Sequence, residues 1–268
     1  MMDWYIPNDT TDAIITAKRH LNSSHGNNSI DSLPDICVMF EIGISIDHLE
    51  CNYKTKTLVN KIPGFLETPK CIGIEGLNNV CFLRGGYGAP AAVDTLETVL
   101  ALGVKKIVLV GMCGVFHERI EVGDVIVPKE ILREEGTSHH YIGSGLLAQP
   151  DKNMLCSITK FMKRNFTVYN ERTVSTDAVY RQTFRKEQSW REVGVVGVDM
   201  EASAVLAVCN YYKVPAVAIL LASDKHPLDA TEREWQWGSK GFKEKRIIFL
   251  DDIIDYVKYL AKTELIDG

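Results

Sequence analysis

The sequence has little that points to a secreted or membrane-bound protein. Its seven cysteines are irregularly spaced and form no Cys-x-x-Cys pair, so we expect reduced thiols rather than a disulfide framework. No run of 18 apolar residues is present, so no transmembrane helix is predicted. The first twelve residues contain acidic but no basic side chains, so no signal peptide is expected. A cytoplasmic location is the resulting prediction.

An excess of positive charge is also missing. The formal net charge is −5 over 268 residues, and a mildly acidic chain binds nucleic-acid phosphates or anionic membranes poorly. We therefore expect neither partner. The 46% share of hydrophobic residues is ordinary for a globular protein, and the length suits one large α/β domain or two small ones.

The N-terminal part of the chain differs from the rest. Apolar side chains recur at helical spacing from Thr10 to Leu21, with residues 9–11 as capping candidates. Segment 22–33 is rich in Asn and Ser, which predicts a loop. We therefore predict an N-terminal helical extension over residues 1–33 and a main domain over residues 34–268.

The main domain alternates short apolar strands with helices. The predicted strands are 36–40, 71–75, 80–83, 107–110, 125–127, 195–198 and 214–221, and the predicted helices are 91–102, 151–163, 200–212 and 243–263. Fully apolar strands between helices imply a mostly parallel sheet that is covered on both faces. The predicted fold class is α/β: a single domain with a mixed, mostly parallel central sheet flanked by helices. Ligands of such sheets bind beyond the carboxyl ends of the strands.

Glycine-rich segments follow two of the predicted strands. They are Arg84–Pro90 and Gly111–Gly114. Glycine lets a ligand approach the backbone closely, but a plain turn explains either segment as well. Both interpretations stay open at this point.

Carboxylates follow two other predicted strands. Asp199 and Glu201 stand at the start of an apolar helix, where the helix dipole should keep both ionised; simple capping by solvated acids is the alternative. Asp224 comes soon after the strand that ends at Leu221. Burial there would raise its pKa, as a general acid requires. An ordinary turn or N-cap aspartate is the alternative.

Together these segments resemble the nucleoside phosphorylase/nucleosidase family, which includes purine nucleoside phosphorylases, uridine phosphorylases and methylthioadenosine/adenosylhomocysteine nucleosidases. The matching segments are Val196–Val205, Val214–Asp224, Gly86–Pro90, Gly111–Gly114, Val122–Val127 and, for the phosphorylase branch, Glu135–Tyr141. The resemblance runs from about Ile36 to the C-terminus. It implies a phosphorylase/hydrolase-like fold and an enzyme that cleaves the N-ribosidic bond of a nucleoside.

The resemblance also implies roles for individual residues. Glu201 would accept hydrogen bonds from the ribose hydroxyls, Met200 would pack on the sugar, and Asp199 would lie on the ribose side. Asp224 would protonate or hydrogen-bond N7 of the base, which favours a purine. The residues implied to contact the base are Asp224, Val179 and Tyr180. Glu201 and Asp224 are thus the predicted catalytic residues.

The predicted phosphate or water site departs from the family pattern. Two arginines of the phosphorylases are replaced by Leu109 and Asp47, and neither side chain can bind phosphate as a guanidinium does. The residues predicted to form this site are Gly43, Arg84, Gly86, Gly111 and Met112. In one explanation other cations bind the phosphate, the candidates being Arg84, Lys61, His117 and Arg119. In the other the nucleophile is water, and Glu41 is its base.

The prediction is therefore phosphorolysis of a purine-type nucleoside to the free base and ribose 1-phosphate. Inorganic phosphate would be the co-substrate, with no cofactor and no metal, and a homo-oligomer is expected. The alternatives are a hydrolytic nucleosidase and a non-catalytic nucleoside-binding or storage protein. A dinucleotide-binding oxidoreductase is disfavoured, because the glycine-rich loop matches only a degenerate fingerprint and lacks its acidic partner. Trp235 and Trp237 are predicted as a lid, an oligomer contact or a packing anchor.

Overall fold

The computed structural model describes residues 4–7, 9–27, 30–229, 231, 235–237 and 240–267. The strands are β1 (Ile36–Phe40), β2 (Thr55–Val59), β3 (Cys71–Ile74), β4 (Val80–Arg84), β5 (Lys106–Val115), β6 (Val125–Ile126), β7 (Glu130–Glu134), β8 (Val168–Tyr169), β9 (Arg172–Thr176), β10 (Val195–Asp199), β11 (Ala216–Lys225) and β12 (Gln236–Trp237). The helices are α1 (Ala17–Leu21), α2 (Ser45–Asn52), α3 (Ala89–Ala101), α4 (Lys152–Met162), α5 (Phe184–Glu192), α6 (Ala202–Tyr212) and α7 (Lys240–Asp267).

The strands form one mixed sheet around β5. The path runs β2-β3-β4-β1-β5-β10-β9-β7, and β11 also pairs with β5. The pairs β1–β4, β1–β5, β5–β11, β9–β10 and β7–β9 are parallel. The hairpin β3–β4 and the pair β5–β10 are antiparallel. The predicted single α/β domain with a mixed, mostly parallel sheet is confirmed.

The two faces of the sheet are buried against different helices. Along β1, Cys37 and Met39 belong to the core under α3 and α6, whereas Val38 and Phe40 belong to the core under α4 and α7. Successive side chains of a strand point to opposite faces, so a strand buried on both sides must be apolar throughout. This is why the strands could be recognised as continuous apolar runs.

The predicted N-terminal helix is wrong over most of its length. Only Ala17–Leu21 is helical, and Thr16, not residues 9–11, accepts the capping hydrogen bond. Ile14 is 89% exposed, so the apolar spacing of this segment does not mark a buried face. A helix this short is stable only through packing, and α1 packs on α3 with Leu21 in the core. The division of the chain at residue 33 stays a prediction.

Two strands continue past their predicted ends. β5 runs through Gly111–Gly114, and β11 runs through Asp224 to Lys225. The two extensions pair with each other, Gly111 opposite Leu220 and Gly114 opposite Asp224, so their backbone groups are hydrogen-bonded between the strands. The alternative interpretation of these segments as plain turns is therefore wrong. Within the described helices, none is long and apolar enough to cross a membrane.

Candidate active site

A cavity of about 680 Å³ lies where β10 and β11 end and where β5 extends beyond its neighbour β1. This is the strand edge at which ligands of such sheets bind. Its lining includes Glu41, Met112, Met200, Glu201, Asp224 and His226. The cavity therefore collects side chains from sequence segments that are far apart.

Glu201 sits between β10 and the first turn of α6. It is 7% exposed, and the backbone N–H of Gly88 donates a hydrogen bond of 2.6 Å to its Oε1. Gly88 has φ of +84°, a conformation that glycine adopts readily. Burial, followed by the charge of Asp199, raises the pKa of Glu201 to about 8. The glycine-rich loop thus positions a carboxylate, which is a role that the sequence left open.

Asp199 holds the turn that presents Glu201. Its Oδ1 accepts a 2.6 Å hydrogen bond from the Ser175 hydroxyl. Its Oδ2 accepts bonds from the backbone N–H groups of Glu201 and Ala202, at 3.0 and 2.6 Å. Burial nevertheless raises the pKa of Asp199. Contrary to the expectation that the helix dipole keeps both acids ionised, the pKa of each is raised, because burial and the repulsion between like charges outweigh the N–H groups.

Asp224 is buried at the end of β11. The Ser223 hydroxyl donates to its Oδ1 at 2.6 Å, and the Trp235 indole N–H donates to its Oδ2 at 2.6 Å. His226 Nε2 lies 3.1 Å from the same Oδ2. Desolvation pushes the pKa of Asp224 upward, but the bonds from His226, Ser223 and Trp235 outweigh it, so the pKa lies below its usual value. The predicted rise in this pKa is wrong, since burial is compensated by donors.

His226 and Glu187 were not predicted as site residues. Both line the cavity, and His226 Nδ1 lies 2.7 Å from Glu187 Oε1. Desolvation opposes the charge on His226, but its bonds to Asp224 and Glu187 raise its pKa to about 9. One signal for His226 was available in the sequence: it lies two residues after Asp224, and side chains two residues apart in an extended segment point to the same face. Glu187 had no comparable signal, since it comes from a polar helix elsewhere in the chain.

The predicted base-binding residues lie at the same cavity. Val179 and Tyr180 line it, but Tyr180 is 97% exposed, so its ring packs on little. Trp235 and Trp237 also line the cavity, with ring centroids 6.2 Å apart. Their position agrees with the predicted lid. Aromatic rings at the edge of a cavity offer stacking surfaces to a flat ligand.

The predicted phosphate or water site is only partly assembled. Met112 lines the cavity, whereas Gly43, Arg84, Gly86 and Gly111 are not among the lining residues. Gly111 lies inside β5, where a Cβ would be 3.1 Å from Leu220 Cδ2, so packing accounts for this glycine.

Arg84 and Gly43 lie just outside the cavity around Tyr87, which does line it. The Arg84 guanidinium is 4.9 Å from the centre of the Tyr87 ring. A Cβ on Gly43 would be 3.1 Å from the Tyr87 hydroxyl. Gly86 has φ of +111° and a Cβ there would meet Ala91. The two glycines and the arginine therefore shape the loop rather than the wall of the cavity.

Glu41 is the unusual residue on this side. Its carboxyl is buried, and neither oxygen makes a hydrogen bond of normal geometry to another described residue. Burial and the charge of Glu201 raise its pKa well above the usual value, which the charge of Arg84 opposes only in part. A Cβ on Gly85 would overlap Glu41 Oε1, so glycine is needed there. These shifts favour the neutral carboxyl, which can donate a hydrogen bond.

Carboxylates dominate the charge of the cavity. The acidic lining residues are Glu41, Glu187, Asp199, Glu201 and Asp224. Among the described lining residues no Lys or Arg occurs, and His226 is the group that can carry positive charge. Of the other cations considered from the sequence, Lys61, His117 and Arg119 also lie outside the lining.

Comparison with known proteins assigns the chain to a family. A model of the phosphorylase superfamily matches residues 50–255. The chain belongs to the phosphorylase superfamily. The predicted family and the prediction of an enzyme of this class are confirmed.

Several relatives of this chain are named as purine nucleoside or guanosine phosphorylases. A guanosine phosphorylase from Halorubrum lacusprofundi is 30% identical over 135 residues, which are 50% of this chain and 56% of that protein. This match therefore spans little more than half of that relative. A DeoD-type purine nucleoside phosphorylase from Buchnera aphidicola is 24% identical over 226 residues, 80% of this chain and 94% of its own.

A solved structure shares the fold of this phosphorylase superfamily member. It is the purine nucleoside phosphorylase from Toxoplasma gondii in complex with immucillin-H, with a TM-score of 0.73 and 17% sequence identity. The match covers 87% of this chain and 93% of that one. It supports the fold class independently of the sequence motifs.

Proposed function

We propose that this protein cleaves the N-ribosidic bond of purine nucleosides, using inorganic phosphate and releasing the free base and ribose 1-phosphate. One observation carries the proposal: Glu201 and Asp224, which come from different strand ends, line the same cavity. One acid would bind the sugar and the other would meet the base.

The chemistry of the bond explains why two acids are needed. As the bond breaks, positive charge grows on the sugar and negative charge on the base. Glu201, whose Oε1 is held by the Gly88 N–H, has a pKa of about 8, and hydrogen bonds from the ribose hydroxyls would favour its ionised form. In that form it would place a negative charge near the sugar. Asp224 and its donors would neutralise the departing base, and general acid catalysis of this kind is typically worth ~10²–10⁴ in rate.

A purine is favoured by the base side of the cavity. N7 of a purine can take a proton or a hydrogen bond from the Asp224 group, and a pyrimidine has no equivalent atom. The named activities of the relatives, purine nucleoside and guanosine phosphorolysis, agree with this choice. Trp235 donates to Asp224 while lining the cavity, so an aromatic wall lies beside this acid.

Glu41 supports phosphate as the nucleophile. Because its raised pKa favours the neutral carboxyl, Glu41 can donate a hydrogen bond to a phosphate oxygen. As a base for water it would first have to ionise beside Glu201, which the low polarity of the site opposes. Further cations for the phosphate would then come from a neighbouring copy in a homo-oligomer.

Hydrolysis is the second candidate, and the charge of the cavity favours it. Among the described lining residues there is no Lys or Arg, and the family arginines are replaced by buried Leu109 and exposed Asp47. Acidic walls repel phosphate, whereas they do not repel water. The proposal of phosphorolysis therefore needs a direct test.

The test is base release from inosine, guanosine and adenosine with and without phosphate. We expect release that depends on phosphate, with ribose 1-phosphate as the sugar product. Equal release in phosphate-free buffer would show hydrolysis instead. Glu201→Ala should lose nearly all turnover, while Glu75→Gln, at an exposed ion pair with Lys54, should retain it. Absence of release from every nucleoside would refute the proposed function.

A further inference from the structure

Glu187 is a buried acid for which cleavage of the ribosidic bond gives no direct use. It lies in the first turn of α5 and is 5% exposed. The hydrogen bond that its side chain makes at the cavity is with His226. A buried carboxylate is unfavourable unless it is paired, so Glu187 and His226 must be considered together.

Glu187, His226 and Asp224 form a continuous chain of contacts. Glu187 Oε1 lies 2.7 Å from His226 Nδ1, and His226 Nε2 lies 3.1 Å from Asp224 Oδ2. A neutral imidazole can donate from only one nitrogen, whereas an imidazolium donates from both. Because both neighbours are carboxylates, the geometry fits the imidazolium.

The His226 imidazole fills a space that the surrounding residues leave for it. A Cβ on Gly114 would overlap His226 Nε2 and would be 3.3 Å from Asp224 Oδ2. The Phe116 ring lies on another side of it, with the centroids 6.0 Å apart. The absence of a side chain at Gly114 therefore lets His226 reach Asp224.

We propose that His226 is the proton source for the leaving purine: it passes its Nε2 proton to Asp224, and Glu187 holds it in the charged form. This inference rests on the proposed function. As the bond between C1′ and N9 breaks, the electron pair goes to N9, His226 gives its Nε2 proton to the Asp224 carboxylate, and Asp224 in turn gives a proton to N7, so that Asp224 ends ionised and His226 neutral. The base leaves neutral, and His226 regains a proton through solvent from the phosphate that attacks C1′.

The charges around His226 agree with this order of proton transfer. Glu187 on α5 and Asp224 on β11 are the charged groups that raise its pKa, to about 9, against desolvation. Gly114 on β5 and Phe116 directly after it carry no charge, and the neighbouring Cys113 thiol stays neutral because burial raises its pKa. The pKa of Asp224 lies below its usual value. The proton therefore rests on His226 rather than on Asp224 before reaction.

The test compares inosine with 7-methylinosine in wild type, Glu187→Gln and His226→Gln. N7 of 7-methylinosine already carries positive charge, so its base leaves neutral without receiving a proton. We expect kcat for inosine to fall about 10²-fold in His226→Gln, with 7-methylinosine nearly unaffected. The matched controls are His25→Gln, at an exposed histidine, and Glu192→Gln, at an exposed position of α5; both should behave as wild type.

The pH profile gives a second readout. Wild-type kcat for inosine should fall as pH rises through about 9, where His226 loses its proton. Glu187→Gln keeps a hydrogen-bond acceptor but removes the charge, so the same fall should occur at lower pH. Equal losses on both substrates, or an alkaline limb that does not move in Glu187→Gln, would overturn the relay. If wild type cleaves neither nucleoside, the proposed function fails and the relay fails with it.

Discussion

Replacing Glu201 by Gln tests the ribose contact with the least disturbance of the structure. The amide has the size of the carboxyl, and its oxygen can still accept the 2.6 Å bond from the Gly88 N–H. What changes is the remaining position, which becomes an NH₂ donor facing the sugar hydroxyls. The repulsion from Asp199 that helps to raise the pKa of Glu201 disappears as well, so the variant should fold.

The expected loss follows from the hydrogen bonds removed. A hydrogen bond to a charged group is worth about 1.5–3 kcal/mol, and the ribose offers two adjacent hydroxyls, at C2′ and C3′. Losing both charge-assisted bonds would cost about 3–6 kcal/mol. At about 1.4 kcal/mol for each factor of ten, kcat/KM for inosine should fall ~10²–10⁴-fold.

The assay compares inosine with 2′-deoxyinosine. It should be run at pH 8.5, above the pKa of about 8 for Glu201, so that the wild-type carboxylate is mostly ionised. The deoxy substrate has lost one hydroxyl in advance, so the variant should lose roughly half as many factors of ten on it. Glu75→Gln serves as the exposed control, and thermal unfolding checks the fold. An identical loss on both substrates would refute the contact with the 2′-hydroxyl.

Two further predictions concern stability and the place of His226. The pKa of Glu201 rises on folding from 4.5 to about 8, so its stabilising effect is complete below about pH 4.5 and is lost as pH rises through about 8. Denaturant titrations should therefore show that, over this pH range, the free energy of unfolding of wild type falls by a few kcal/mol relative to that of Glu201→Gln. A difference in the free energy of unfolding that does not change with pH would contradict this. Gly114→Ala should displace His226 and lower inosine turnover by roughly 10²-fold, with little effect on 7-methylinosine; an unchanged rate would show that the imidazole is not needed there.

The fold was predictable where local pattern and burial coincide. β1 and residues 195–198 of β10 are buried at every position and contain no polar side chain, so each is an uninterrupted apolar run. The polar helix α5 has too few apolar residues for a periodic signal, although Glu187 and Trp190 are buried on it. Its capping residue, Thr183, was the available local sign of its start. A single capping residue is too weak to predict a helix.

The ends of β5 and β11 show a different limit of sequence reasoning. Gly114 and Asp224 look like turn residues, yet they face each other across a pair of extended strands. Pairing supplies the backbone hydrogen bonds that would otherwise require a turn. That partner is more than a hundred residues away in the chain, so no local pattern shows it.

The acids of the site could be predicted from the sequence, but the groups that surround them could not. Glu201 and Asp224 stand near strand ends, which is a local feature. Their partners are distant: Gly88 is 113 residues from Glu201, and Glu187 is 39 residues from His226. Whether an acid gains or loses protons depends on those partners. Reasoning from the sequence therefore identified two acids of the cavity but predicted the direction of their pKa shifts wrongly.

The pKa values of the two proposed catalytic acids are shifted in opposite directions because their neighbours carry opposite charges. Glu201 has a buried carboxylate, Asp199, beside it, whereas Asp224 has the imidazolium of His226. When ribose hydroxyls donate to Glu201 they favour its ionised form, so binding the sugar would release a proton on that side. The base side would still hold its positive charge. The cavity would then present negative charge to the sugar and a proton to the base, which is the opposite of the charges that bond cleavage creates and is therefore the arrangement that stabilises them.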